Sequence, residues 1–190
     1  MNAVEEIRAY LPDGEQEERD RTLMLDFLAK NDNAFLRENQ VAHMTASAWV
    51  LSPDRRRVVM GWHNIYKSWS WVGGHADGDT DLLAVAIRET AEETGLDAMP
   101  LQDGIFSLEC LPVAGHRKNG VYVSSHLHLN VTYLLQARDE TLRTKPDENS
   151  AVRWLTPAET LTMPAEAWMV EWVYRKLTAR AERYMRGINL

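Results

Sequence analysis

Three glutamates lie close together near the middle of the sequence, at Glu89, Glu92 and Glu93. At ~100° of rotation per helical residue, they fall within about 100° of one another on a helix surface. Carboxylates at this spacing repel by ~0.2–0.5 kcal/mol per pair, and the C-terminal end of a helix also disfavours anions. Because the repulsion and the effect of the helix end are both unfavourable, the three glutamates predict a bound cation that offsets them. Because the ligands are oxygen atoms, the pattern favours Mg²⁺, or Mn²⁺, over Zn²⁺.

The glutamates belong to residues 73–96, which read GGHADGDTDLLAVAIRETAEETGL. A Gly-Gly turn opens this stretch, and a helix is predicted from Thr80 or Asp81 to Thr94. Gly95 is the predicted stop, since glycine readily adopts the left-handed conformation that ends a helix. The face predicted to be buried lies roughly opposite the glutamates and comprises Leu83, Ile87, Thr90, Ala91 and Thr94.

This stretch resembles the signature box of the Nudix hydrolases. In that pattern Gly, five residues, Glu and seven residues precede Arg-Glu-aliphatic-x-Glu-Glu-x-Gly-aliphatic. Gly74 opens the pattern, and its second half falls in register on Arg88, Glu89, Glu92, Glu93, Gly95 and Leu96. Two positions depart, because Thr80 replaces the first Glu and Thr90 replaces an aliphatic residue. Asp79 and Asp81 are the candidates to pair with Arg88 in place of that Glu.

The resemblance implies an enzyme that hydrolyses a diphosphate linked to another group, on an α/β fold of the Nudix type, an α/β/α sandwich with a mixed sheet. It implies that Glu89 and Glu93 bind metal directly, with Glu92 close behind and the bare backbone of Gly73 and Gly74 beside them. Arg88, Gly73 and Gly95 are expected to have structural roles in the box. For the general base, the resemblance implies Glu148, six residues before Trp154, with Glu89 as the alternative.

Four other residues are candidates for substrate binding. His75 either contacts phosphate or metal, or bonds to the loop backbone. Trp71 either stacks on a base or packs in the core. His126 and His128 alternate with apolar residues on a predicted strand, so they face either a wet cleft or solvent. Two histidines at i,i+2 on a strand are also a potential pair of metal ligands.

The substrate class is less specified than the reaction. Pro112, roughly sixteen residues beyond the box, resembles a proline of ADP-ribose pyrophosphatases, so ADP-ribose or a nucleotide sugar is favoured. One alternative is an isopentenyl-diphosphate-isomerase-like enzyme, which His43 and His75 suggest. That enzyme needs a Cys just before the second His, where this chain has Gly73 and Gly74. Another alternative is a non-catalytic, nucleotide-binding sensor, although such modules usually lose one of the glutamates.

Composition limits the cellular setting and the partners. The net charge of −7 and the pI near 5.4 argue against nonspecific binding to nucleic acid, which needs a basic surface. They do not exclude a nucleotide substrate, because Mg²⁺ can bridge an acidic site to phosphates, and the resemblance implies a small-molecule diphosphate as partner. The single cysteine, Cys110, permits no intrachain disulfide and fits a reducing cytoplasm. No stretch approaches the ~20 apolar residues of a membrane helix, and the acidic N-terminus does not resemble a secretory signal.

Hydrophobic periodicity divides the chain into three parts. Residues 1–40 are a helical N-terminal extension, with helices over 2–10 and 15–30, that either caps the core, covers the substrate or forms a homodimer contact. Residues 41–160 are the Nudix core, and residues 161–190 carry a C-terminal helix over 164–186 packed on it. The predicted strands cover residues 43–51, 57–63, 69–72, 105–113, 121–136 and 151–155.

Overall fold

A computed structural model describes residues 2–118, 120–145 and 149–186. The chain forms two compact units that alternate along the sequence, and each is described by itself. The first unit comprises Met1–Ser47, Gly74–Val85 and Gly104–Tyr133. The second comprises Ala48–Gly73, Ala86–Asp103 and Leu134–Leu190. The division at residues 40 and 160 stays a prediction.

The helices begin near the positions that capping residues indicate. Asn2 forms a capping box with Glu5 at the first helix, and Thr156 forms one with Glu159 at the fourth. The helical segments in the described ranges are α1 (Ala3–Ala9), α2 (Glu15–Lys30), α3 (Leu82–Thr94), α4 (Pro157–Thr160), α5 (Ala167–Met169), a π-helical turn (Val170–Tyr174) and α6 (Arg175–Met185).

The strands confirm the α/β class. They are β1 (Ala42–Leu51), β2 (Val58–His63), β3 (Ser68–Ser70), β4 (Val72–His75), β5 (Ala98–Pro100), β6 (Ser107–Val113), β7 (His116–Lys118), β8 (Val121–Val123), β9 (His126–Ala137) and β10 (Asn149–Leu155). The main hydrogen-bonding order is β10-β2-β1-β9-β5, with β3 on β2, β4 on β1 and β6 on β9. Strands β7 and β8 form a separate hairpin.

In the first unit, β6 pairs antiparallel with the first half of β9, from Ser107 opposite Thr132 to Val113 opposite His126. Helix α2 packs on β6. The only α2 residues whose side chains are buried are Met24 and Glu17, and Leu23 is 42% exposed. The carboxyl group of Glu17 accepts hydrogen bonds from Tyr10 Oη and from Ser107 Oγ. Helix α2 therefore contacts β6 partly through a buried polar group.

In the second unit, β2 is the central strand, because it pairs antiparallel with β10 on one side and with the end of β1 on the other. Strand β3 continues the pairing of β2 from Gly61 opposite Ser70 to His63 opposite Ser68. Strand β5, which was not predicted, pairs with the end of β9. Three residues are too few to show a strand period, and Pro100 masks the signal further.

Two predicted strands are interrupted. The strand over 121–136 is wrong as a single element, because β8 ends at Val123 and β9 begins at His126. The strand over 69–72 is likewise two elements, β3 and β4, separated by Trp71. The C-terminal helix begins at Ala167 rather than at residue 164, and its π-helical turn breaks the regular period. The breaks are only one or two residues long, Trp71 in one case and Ser124-Ser125 in the other, so a period measured over a longer window does not reveal them.

Helix α3 has the predicted length but not the predicted buried face. Ala91 is exposed and Leu83 and Ile87 are half-buried, so the prediction was wrong for three of the five positions. The face that is buried lies about one residue's rotation away and comprises Leu82, Val85, Ala86, Thr90, Glu93 and Thr94. Glu93 lies on this buried face and accepts hydrogen bonds there. None of the helices in the described ranges has the length and apolar character of a membrane crossing.

Candidate functional site

Glu93 is the buried member of the carboxylate cluster, a name used here for Glu89, Glu92 and Glu93 on α3. Glu93 is only 6% exposed. The Gly73 backbone N–H donates a hydrogen bond to Glu93 Oε1 over 2.9 Å. The Asn149 side-chain amide donates one to Glu93 Oε2 over 2.6 Å. Each carboxylate oxygen thus has a fixed donor, which sets the orientation of the group in advance.

Asn149 is itself held in place from two sides. It is the first residue of β10, and its backbone N–H donates to the Lys145 carbonyl over 2.8 Å. Its amide lies directly over Gly61, where a Cβ atom would be 3.0 Å from Asn149 Cγ. A side chain at Gly61 would therefore push the amide away from Glu93. The glycine in β2 provides the space that this contact needs.

The other two glutamates are more accessible. Glu92 is exposed, and its Oε2 lies 3.1 Å from Lys145 Nζ. Glu89 is half-buried and Arg88 is exposed. The ion pair with Lys145 offsets part of the carboxylate repulsion, although pairs of this exposure contribute only ~0–1 kcal/mol. The roles predicted for Glu89, Glu92 and Arg88 stay predictions.

The loop before α3 forms a helix cap. Asp81 Oδ1 accepts a hydrogen bond from the Ala84 N–H over 3.0 Å, and Asp79 Oδ1 accepts one from the Asp81 N–H over 2.9 Å. An aspartate at this position satisfies a backbone donor of the first turn that has no partner inside the helix. At the other end, Gly95 has φ of +73° and is the predicted stop. Gly74 is half-buried at the middle of β4.

Two predicted residues give different outcomes. Trp71 is 8% exposed, and its ring meets the Tyr174 ring edge-on with 5.8 Å between centroids. The structure therefore places Trp71 in a packed aromatic pair, which was the alternative to base stacking. Glu148, predicted as the general base, lies outside the described residues.

A second group of side chains, the histidine cluster, consists of His43, His75, His126 and His128. It lies wholly within the first unit. The His43 ring centroid lies 5.1 Å from that of His75 and 5.0 Å from those of His126 and His128. His126 Nε2 and His128 Nε2 are 3.2 Å apart. Among the described residues, His43, His75 and His128 are the only set of three metal-ligand side chains whose ligand atoms all lie within 4.8 Å of one another.

Backbone hydrogen bonds bring three separate strands together at this cluster. The Ala76 N–H, just after β4, donates to the Met44 carbonyl of β1 over 3.1 Å. The Leu127 N–H of β9 donates to the Val41 carbonyl over 3.0 Å. The start of β1 therefore lies between the end of β4 and the start of β9. Each of the three strands contributes its histidines to the same place.

The tautomers of two histidines follow from their partners. His43 Nδ1 lies 3.0 Å from the Asn39 carbonyl, and His126 Nδ1 lies 2.8 Å from the Ser124 carbonyl. A carbonyl can only accept, so Nδ1 carries the proton in both rings. In the neutral ring, Nε2 then has a free lone pair. His43 is 4% exposed, and its buried Nε2 has no hydrogen-bond partner.

Burial favours the neutral form of two members of the cluster, His43 and His128. Loss of water around the ring lowers the pKa of His128 to about 2, and the neighbouring His75, His43 and His126 lower it further. Burial also lowers the pKa of His43. A neutral imidazole is both a hydrogen-bond acceptor and a metal ligand, whereas an imidazolium is neither.

The polar face predicted for β9 is a buried hydrogen-bond network beyond the histidines. Asn130 Oδ1 accepts from Thr45 Oγ1 and from Ser47 Oγ, both over 2.9 Å. Its Nδ2 donates to Glu109 Oε2 over 3.2 Å. Glu109 and Asn130 are at most 1% exposed. Neighbouring side chains take the place of water along this half of the strand. The two alternatives for His126 and His128, a wet cleft or solvent, stay predictions.

Comparison with known proteins identifies the family. Residues 41–178 match the family model described as the NUDIX domain. The chain belongs to the Nudix family. The match covers most of the chain, and it confirms the resemblance drawn from the box and the enzyme class of Nudix pyrophosphohydrolase. A comparison with curated proteins found no match.

Solved structures with the Nudix fold support the same fold for this chain. A NUDIX-family hydrolase from Clostridium perfringens is 16% identical, with a TM-score of 0.52 over 72% of this chain and 97% of that chain. A C. elegans Ap4A hydrolase is 16% identical, with a TM-score of 0.53 over 76% and 98%. The NUDIX domain of Shewanella oneidensis NrtR, solved with ADP ribose, is 19% identical, with a TM-score of 0.53 over 84% and 97%. The predicted Nudix-type α/β fold with a mixed sheet is confirmed.

The sequence alone did not indicate the roles of three residues. Asn149 and Lys145 lie on either side of the predicted Glu148, and their contacts to Glu93 and Glu92 were not anticipated. His43 appeared only as a weak likeness to an isomerase. Its signal was a polar residue at the start of a strand that is otherwise buried throughout.

Proposed function

We propose that this Nudix protein catalyses metal-dependent hydrolysis of the diphosphate bond in a nucleoside diphosphate derivative. The observation that carries the proposal is the buried carboxylate of Glu93, held by the Gly73 N–H and the Asn149 amide. Burying a carboxylate is unfavourable unless hydrogen-bond partners or a bound ion offset the loss of water. A carboxylate has about four lone-pair sites, so a group held by hydrogen bonds can also serve as a metal ligand.

The donor set of the carboxylate cluster fits a hard divalent ion. Glu89, Glu92 and Glu93 offer only oxygen atoms, the ligands that Mg²⁺ and Mn²⁺ prefer. When bound, such an ion neutralises phosphoryl charge and lowers the pKa of a water molecule. The chain itself keeps the Glu93 carboxylate oriented, and the Lys145 ammonium beside Glu92 adds a positive charge near the anionic substrate. Either Glu148 or Glu89 removes the proton from the attacking water.

The substrate class rests on weaker support. One similar structure was solved with ADP ribose and another is named an Ap4A hydrolase, and in both compounds phosphate groups are linked to adenosine. Pro112 favours ADP-ribose or a nucleotide sugar over a dinucleoside polyphosphate. The net charge of −7 supports a small molecule rather than a nucleic acid. We extend the proposal to a cytoplasmic location, consistent with the single cysteine.

The test is turnover of a substrate panel by the purified chain with Mg²⁺. The panel contains ADP-ribose, nucleotide sugars, Ap4A and isopentenyl diphosphate. Release of nucleoside monophosphate is the readout for the nucleotides, and isomerisation is the readout for isopentenyl diphosphate. We expect hydrolysis of ADP-ribose or a nucleotide sugar. Tight binding without turnover of any member favours the sensor, and isomerisation of isopentenyl diphosphate favours the isomerase.

A matched pair of variants tests the role of the buried Glu93 carboxylate. Glu93→Gln removes the charge but keeps the shape, and the Asn149 amide can rotate to keep the hydrogen bond. We expect kcat to fall at least about 100-fold, since loss of a metal ligand exceeds the effect of losing an outer-shell partner. Glu171→Gln, an exposed carboxylate on the π-helical turn, is the control and should retain full activity. Equal activity of the two variants contradicts the assignment of Glu93.

A further inference from the structure

The histidine cluster differs from the carboxylate cluster in the atoms that it offers as metal ligands. The carboxylate cluster offers oxygen ligands, whereas His43, His75, His126 and His128 offer only imidazole nitrogens. Hard ions such as Mg²⁺ prefer oxygen, and imidazole suits borderline ions such as Zn²⁺, Ni²⁺ and Cu²⁺. The glutamates of the Nudix box, and the hydrolysis proposed for them, therefore do not account for this second group.

We propose that the histidine cluster is a binding site for a transition-metal ion of the Zn²⁺ class, with His43, His75 and His128 as ligands and His126 completing a four-coordinate set. Three of these side chains already have ligand atoms within 4.8 Å of one another. Two nitrogens bound to one Zn²⁺ at ~2.0–2.1 Å are ~3.3–3.4 Å apart in a tetrahedral site. The His126–His128 separation of 3.2 Å is close to that value.

The orientation of the rings supports the proposal. A metal-binding histidine typically donates its second ring N–H to a carbonyl or carboxylate, which fixes the ring and its tautomer. His43 and His126 both do so, through Nδ1 to the carbonyls of Asn39 and Ser124. In each ring the nitrogen that remains for a ligand is Nε2. His126 Nε2 lies next to His128 Nε2, within the cluster.

The buried nitrogen of His43 gives an independent reason. Its Nε2 has no hydrogen-bond partner, although the residue is only 4% exposed. A buried polar atom without a partner costs ~1–3 kcal/mol. A metal ion bound among the neighbouring imidazoles would satisfy this atom. His75 and His128 are half-buried, so their side chains have room to move. A shift of roughly 1 Å brings the most widely separated ligand atoms towards the spacing of two nitrogens bound to one Zn²⁺.

The surrounding charges permit a cation. Asp77, two residues after His75, is ion-paired with Arg37, so this neighbouring pair adds no net charge. Four neutral imidazoles leave the ion with its full charge, as in zinc sites built from histidine alone. The site would be closed if His126 binds, and would keep one open position for water if it does not.

The experiment uses the full chain, stripped of metal with a chelator and titrated with Zn²⁺ by calorimetry and with Co²⁺ by visible absorbance. With excess Mg²⁺ present to occupy the carboxylate cluster, we expect one equivalent of each ion per chain, a Co²⁺ spectrum typical of tetrahedral nitrogen ligands, and a Zn²⁺-dependent rise in Tm. His75→Ala and His128→Ala should each weaken the affinity at least about tenfold. His116→Ala, a histidine of the same unit outside the cluster, should not change it.

One further variant separates this site from the carboxylate cluster. Glu92→Gln should leave the Co²⁺ spectrum unchanged if the ion binds to histidines. Loss of the spectrum in Glu92→Gln, with binding retained in His75→Ala, places the ion on the carboxylates and overturns the proposal. Failure of the unmodified chain to bind Zn²⁺ or Co²⁺ also overturns it, whatever the folding of the variants. Because these are binding measurements, they stay informative even if no substrate is hydrolysed.

Discussion

Asn149 and Glu93 form a buried hydrogen bond of 2.6 Å between an amide donor and a carboxylate acceptor. The two residues are 56 positions apart, so only the folded chain brings them together. Asn149 lies at the start of β10, and Glu93 lies in the last turn of α3. The contact therefore links the helix that carries the glutamates to the central sheet of its unit.

Asn149→Ala should weaken both stability and catalysis. The substitution leaves Glu93 Oε2 buried without its donor, which costs ~1–3 kcal/mol of unfolding free energy. Loss of the orienting contact should also lower kcat/KM by about 10–100-fold. Urea denaturation and the hydrolysis assay measure the two effects. Ser150→Ala, at the exposed next position, is the control, and matching behaviour of the two variants would show that the contact does not matter.

Gly95→Ala should destabilise the chain more than Gly104→Ala. Both glycines have positive φ, +73° and +75°, so each substitution carries the left-handed strain of ~1–2 kcal/mol. At Gly95 the new Cβ would also lie 3.0 Å from Arg143 Cβ, whereas at Gly104 the nearest atom is 3.9 Å away. The difference in unfolding free energy between the variants isolates the packing effect. Equal losses would mean that Arg143 moves aside freely.

Cys110 should react slowly with thiol reagents in the folded chain. Burial raises the pKa of its thiol, and the nearby Asp20 carboxylate raises it further. Only the thiolate is nucleophilic, so a raised pKa lowers the reactive fraction at pH 8. We expect full labelling by a disulfide reagent in denaturant and labelling at least about tenfold slower without it. Asp20→Asn should speed the reaction of the folded chain, and no increase would assign the protection to burial alone.

Glu6→Gln should stabilise the chain at neutral pH. Burial raises the pKa of Glu6, against the opposing effect of the Tyr133 hydroxyl, which donates to it over 2.9 Å. With the folded pKa above the unfolded value, the stabilising contribution of Glu6 is complete below about pH 4.5 and is lost as pH rises through the folded pKa.

The amide introduced by Glu6→Gln removes this dependence but can still accept the Tyr133 hydrogen bond. Because Glu6 is only half-buried, the expected rise in Tm at pH 7.5 is about 1–2 °C. The gain should vanish near pH 4. Glu5→Gln is unsuitable as a control, because Glu5 takes part in the capping box, so the exposed Glu38→Gln serves instead. A gain that is constant with pH would contradict the assignment.

Local patterns predicted the elements whose signal lies in neighbouring residues. The bounds of α1, α2 and α3 lie within two residues of their predictions, because caps and helical period act within a few residues. The strands β1, β2 and β6 were also predicted. The break between β8 and β9 was not, because its sequence signal is only the pair Ser124-Ser125, which is too short to distinguish a turn from a polar stretch of strand.

The sequence by itself determined the Nudix family, the spacing of Glu89, Glu92 and Glu93, and the helix that carries them. These properties depend on residues adjacent in the chain. Only the tertiary structure decided which glutamate is buried, because the Gly73 N–H and the Asn149 amide that orient Glu93 come from distant strands. It also decided that His43 joins His75, His126 and His128, since no local spacing relates the starts of β1 and β9 to the end of β4. Long-range backbone pairing creates both clusters, and such pairing leaves no pattern in a single stretch of sequence.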